Sequence, residues 1–154
     1  MNQSLELLAQ DLGLLNPGNV RMRLAFGYAC TERITHLLEE AAVVDCFDTL
    51  KRYLEGRATD EELEHSQKEA DRLANHHRGS KSIDGCGHAS VSASYAVANA
   101  INGRALQAAD YAAYATVYSD GGYGAVSQRE AFEPEFLWQV STLRELCAGA
   151  QVGA

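Results

Sequence analysis

Residues Thr59 to Asp71, TDEELEHSQKEAD, leave the chain little choice of conformation. Thr59-x-x-Glu62 forms a capping box, in which hydroxyl and carboxylate satisfy two backbone amides that a helix start otherwise leaves unpaired. Asp60, Glu61 and Glu62 then face the positive end of the helix dipole, where carboxylates are stabilised. The stretch carries six acids against one lysine, and its apolar positions are sparse: Leu63, Ala70, Leu73 and Ala74. The spacing predicts a helix from Thr59 to about Arg78, lying at the outside of a bundle with a wide wet face.

Helical periodicity recurs along the rest of the chain. Leu5, Leu8 and Leu12 predict a short amphipathic helix over 4–14, capped by Ser4 and broken at Asn16-Pro17-Gly18. A second helix is expected from Asn16 or Asn19 to about Glu40, on Leu24, Ala25, Tyr28, Ile34, Leu37 and Leu38. A third spans roughly 43–55, with Val43, Phe47, Leu50 and Leu54 on one side and Gly56 as its stop. Residues 79–87 read as a loop. Two alanine-rich helices follow, about 88–102 and 104–119, divided by Asn102-Gly103. Their small residues permit close approach of helix axes, near 8 Å. A second capping box, Ser127-x-x-Glu130, opens a last helix on Phe132, Phe136, Leu137, Val140, Leu143 and Leu146. Only 2 prolines interrupt the chain, which favours helices over a sheet. The expected fold is therefore all-α: one domain over 1–154, an orthogonal bundle of about seven helices. Residues 1–15 form its N-terminal helix, 16–148 the core and 149–154 a frayed tail.

The charge balance limits function. With Lys plus Arg at 13 and Asp plus Glu at 21, the net charge is −8. Phosphates are held by cationic surface, so general nucleic-acid binding is disfavoured. Between residues 37 and 75 eleven acids meet five bases, so that quarter of the chain supplies −6 of the total. No run of about 18 apolar residues is present, and no membrane span is expected. Residues 1–15 lack a basic n-region, with Glu6 and Asp11 among the apolar positions, so a cytoplasmic protein is expected.

Catalytic and metal signals are weak. Cys30, Cys46, Cys86 and Cys147 match no zinc or redox spacing and read as small buried hydrophobes. The best metal candidate is His76 and His77 with Cys86 and His88, but adjacent histidines on a helix point apart. A nucleophile from Cys86 and His88, or from Cys30 and His36, is disfavoured by the same kind of spacing. GGYG at 121–124 has the glycines of a phosphate loop without its lysine. No catalytic residue, metal or cofactor is expected; an enzyme or zinc protein using His76, Cys86 and His88 is the alternative.

Two candidates for contact remain. Asp60, Glu61, Glu62, Glu64 and Glu69 form an acidic plate suited to a basic groove on a protein partner, where complementary charge speeds and orients encounter. Tyr111, Tyr114 and Tyr118 make one stripe, a candidate homodimer contact whose plainer reading is packing with hydroxyls at the rim.

Leu24 to Glu39, LAFGYACTERITHLLE, resembles the opening of bacterial helical immunity-protein domains. The run YLEGRATDEELEHSQKEADRLA and the closing EFLWQVSTLREL are similar to elements of the same loose group. The resemblance implies a non-catalytic binder that neutralises a bacterial toxin. By its small, acidic, cofactor-free character the chain is also similar to phage anti-CRISPR inhibitors. Of the two, the acidic plate favours an anti-CRISPR protein that binds a multisubunit CRISPR effector and blocks DNA binding or nuclease recruitment.

Overall fold

A computed structural model describes residues 1–76 and 86–152. Among them lie seven α-helices: α1 Gln3–Asp11, α2 Val20–Glu32, α3 Ala41–Leu54, α4 Asp60–Asn75, α5 Cys86–Ile101, α6 Ala105–Gly121 and α7 Arg129–Val152. No strand occurs among the described residues, and the all-α bundle stands as expected. No described helix is long and apolar enough to cross a membrane. The expected loop at 79–87 falls mostly outside the described residues.

α5 is the central element. It meets α6 along its length and also packs on α2, α3 and α4. Its sequence explains this position: Ala89, Ala93, Ala96 and Ala100 are buried, and α6 answers with buried Ala105, Ala108, Ala109 and Ala112. Side chains this small let the backbones come together. α2 also approaches α5 closely: a Cβ added to Gly27 would lie 3.0 Å from the Ala100 Cα. Larger side chains fill the space further out. Val43, Phe47 and Leu50 from α3 meet Leu63, Leu73 and Val97 in one cluster; Leu5, Phe26, Ile34 and Leu143 anchor another.

Helix ends follow local chemistry. Gly56 (φ +77°) and Gly103 (φ +75°) adopt the left-handed conformation that stops α3 and α5, as their sequence positions predict. Behind them the Arg57 and Arg104 amides donate to the carbonyls of Arg52 and Asn99.

Four boundaries depart from the sequence reading. α1 is capped by Asn2, not Ser4: the Asn2 side-chain oxygen accepts the Leu5 amide at 3.2 Å. Its Nδ2 donates to the Phe136 carbonyl and to Gln139 Oε1, so the cap also ties α1 to α7. Gln139 is fully buried, and its own Nε2 donates to the Ala109 carbonyl of α6 at 2.8 Å. α2 ends at Glu32, well short of Glu40. There Thr35 Oγ1 donates to the Glu32 carbonyl, and a 3-10 turn over Thr35–Leu37 follows. Hydroxyls that bond nearby backbone compete with helix, and β-branched Thr31, Ile34 and Thr35 weaken it further.

The Ser127 capping box does not form. Ser127 Oγ donates back to the Gly124 carbonyl within a 3-10 turn, and α7 starts at Arg129. The tail is not frayed from 149: α7 continues to Val152. Pro134 lies inside α7.

Candidate functional site

The Thr59 capping box is formed in full. Thr59 Oγ1 accepts the Glu62 amide at 3.1 Å, and Glu62 Oε1 accepts the Thr59 amide at 3.2 Å. α4 buries Leu63, Ala70, Leu73 and Ala74 against α3 and α5. Since those four share one face, the intervening acids are driven outward. Asp60, Glu61, Glu62 and Glu64 are exposed, and Glu69 is half-buried.

Most of these acids already have a partner within the chain. Asp60 accepts the Tyr53 hydroxyl at 2.8 Å. Glu62 meets Arg52 Nη1 at 3.3 Å, and Arg52 also bonds Asp48. Glu64 lies 3.3 Å from Lys68 Nζ, Glu69 takes both ends of the Arg72 fork, and Asp71 meets Arg104 at 2.7 Å. The Thr59 amide, then Arg52, hold the Glu62 carboxyl below its ordinary value; Arg72 does the same for Glu69. Glu61 stands apart, exposed and without an ion pair among the described residues. The plate is therefore partly neutralised, but by pairs that are open to water. Such pairs contribute little and are readily exchanged.

A second acidic locus adjoins this one through α3. Tyr28 stacks on Phe47 at 4.8 Å, and its hydroxyl donates to Glu32 at 2.8 Å. Burial first, then Glu32, push the Tyr28 phenol up to about 12. Glu55 and Asp48 add to that field.

The tyrosine stripe is occupied from within. Tyr111 stacks on Tyr95 at 5.1 Å, Tyr114 sets its edge on Phe132 at 5.1 Å, and Tyr118 stacks on His88 at 5.3 Å. Tyr111 retains 36% exposure; Tyr114 and Tyr118 are half-buried. Each of these rings has an aromatic neighbour within the chain.

Of the histidine and cysteine candidates near the α4 end, the described His76 and His88 make different contacts. His77 and the Cys86 side chain lie outside the described residues. His76 Nδ1 sits 2.7 Å from the Arg72 carbonyl oxygen, a helix-end contact, while His88 stacks on Tyr118. Among the described residues no three of His, Cys, Asp and Glu converge as a metal site. Cys30 and Cys46 are buried; burial pushes the Cys30 thiol far up and the Cys46 thiol up to about 11. Thiols so raised are poor nucleophiles at neutral pH.

One polar assembly is absent from the sequence reading. Arg33, just after α2, reaches α7 and forms a two-pronged pair with Glu135, Nε to Oε1 at 3.0 Å and Nη2 to Oε2 at 2.9 Å. Its guanidinium carbon also lies 3.9 Å from the centroid of the Trp138 ring. Glu135 is 5% exposed. Residues 102 positions apart leave no periodic trace of such a pair.

No family model, curated protein or solved structure matches this chain.

Proposed function

We propose that this chain is a non-catalytic inhibitor that acts in the bacterial cytoplasm by binding a protein with a basic surface. The favoured target is a multisubunit CRISPR effector, and the effect a block of DNA binding or of nuclease recruitment. One observation carries the reading: α4 presents Asp60, Glu61, Glu62 and Glu64 to solvent at one helix end, within a region that supplies −6 of the −8 net charge. A surface of this sign attracts the cationic grooves that hold nucleic acid and competes for them without base chemistry. The exposed pairs of Arg52 and Lys68 are exchangeable, so a partner's arginines can replace them.

The test uses purified effector complex and labelled target DNA. Glu61→Lys with Glu64→Lys reverses charge where neither side chain takes part in the capping box, whereas Glu62 is spent on it. The double variant should keep native helicity and lose association rate by about tenfold to a hundredfold at low salt. Binding to the effector at the unaltered rate would reject this surface. No binding by the unaltered chain would reject the target, and a nearby-encoded toxin captured instead would favour the immunity reading.

A further inference from the structure

The Arg33–Glu135 pair forms one wall of a cleft of about 360 Å3 between the turn after α2, the last turn of α6 and α7. The opposite wall carries Thr116, Ser119 and Asp120. The first wall carries Arg33, whose charge is paired with Glu135 but whose Nη1 edge is unused; the second carries Asp120 without an ion pair among the described residues.

On the first wall, Arg33 is fixed twice, by the Glu135 fork and by the Trp138 face. Its Nε and Nη2 are used, and among the described residues Nη1 has no acceptor. A guanidinium clamped this way keeps an open edge without losing further rotamer freedom on binding. His36, exposed beside it, adds a second donor.

On the second wall, Asp120 breaks a local rule. It stands in the final turn of α6, where the helix dipole is negative and a cation is preferred, yet that turn holds no basic residue. Asp120 is exposed and has no ion pair among the described residues. Rule-breaking polar residues concentrate at functional positions.

A simple anion would meet Asp120 and the carbonyl end of α6; a simple cation would leave the open Nη1 edge of Arg33 unused. A ligand carrying both charges satisfies both walls. We propose that this cleft binds a small zwitterion of the amino-acid or short-peptide class, its carboxylate on Arg33 and His36 and its ammonium on Asp120 and the last turn of α6. The site shares no residue with the acidic plate, so its fate is independent of the inhibitor reading.

Amide NMR spectra of the full chain, titrated with glycine, β-alanine and glycylglycine, test it against acetate and methylammonium. At least one zwitterion should shift the Arg33–Leu37 and Thr116–Asp120 amides saturably, at least about tenfold more tightly than either single ion. Asp120→Asn, an exposed change, should weaken that zwitterion about tenfold without weakening acetate. Arg33→Lys, which keeps charge but loses the fork, should weaken the zwitterion and acetate alike. The proposal is overturned by absence of saturable shifts, by shifts elsewhere, by equal response to acetate, or by an Asp120→Asn protein that binds as before.

Discussion

α4 and α5 are both 16 residues long, and they are helices for opposite reasons. α5 contains no Asp, Glu, Lys or Arg, and is enclosed by α2, α3, α4 and α6. Its conformation is held by tight backbone packing that only alanine, serine and glycine permit. α4 holds six acids, and its first turn is written in local chemistry: a complete capping box with carboxylates on the positive dipole end. The centre tolerates no added volume; the exposed face of α4 tolerates most changes that spare its cap. A binding surface is therefore free to vary on α4 without threatening the fold, whereas α5 is committed to structure.

The contrast is most exposed to failure at its centre. Ala100→Leu places three extra carbons against Gly27, where a Cβ added to the glycine would lie only 3.2 Å from the Ala100 Cβ. The expected cost is about 3 kcal/mol, read as a lower urea midpoint. A loss too small to measure would mean that α2 and α5 are less tightly joined than described here.

At the edge, Thr59→Ala removes one half of the capping box and should cost about 1 kcal/mol. Hydrogen exchange should then speed up at the first turn of α4 while α5 amides stay protected. Faster exchange in both helices together would erase the distinction.

Acid titration comes next in size. Glu62 and Glu69 have carboxyls held below their ordinary values, so their contribution is present at neutral pH. It fades as pH falls through the folded-state values, since the unfolded chain takes up protons first. The expected result is a modest fall in melting temperature on acidification, reduced in an Arg52→Gln, Arg72→Gln double variant. An unchanged acid dependence in that variant would assign it to other carboxylates.

Smallest of all, Glu61→Gln should cost only about 0.3 kcal/mol, the dipole interaction of an exposed first-turn carboxylate that makes no ion pair among the described residues. A clearly larger cost there would mean that Glu61 has a structural duty.

The helices with strong local punctuation were legible in the sequence. Gly56, Thr59 and Gly103 mark ends that the chain adopts, because each acts through its own backbone and near neighbours. Misreadings arose where two local signals competed. Leu37 and Leu38 keep helical spacing, yet Thr35 diverts the backbone to Glu32 and α2 stops. Ser127 has the right glutamate three residues on, but its hydroxyl is taken by Gly124. Of the acidic plate, the sequence revealed exposure and sign; it did not reveal that Arg52, Lys68 and Arg72 fold back onto it. The Arg33–Glu135–Trp138 assembly was beyond reach, because its parts meet only once α2 and α7 are side by side.

Gln139 gives the bundle a form of error checking. Its amide reads α6 through Ala109 and α1 through Asn2 at once, in a place without water. If α7 slid along its neighbours by a single turn, both contacts would be lost together and the amide would be stranded dry. An oily side chain there could settle into several nearly equal positions; an amide accepts one. Misaligned packings are thereby rejected, and the three helices are held in a common register.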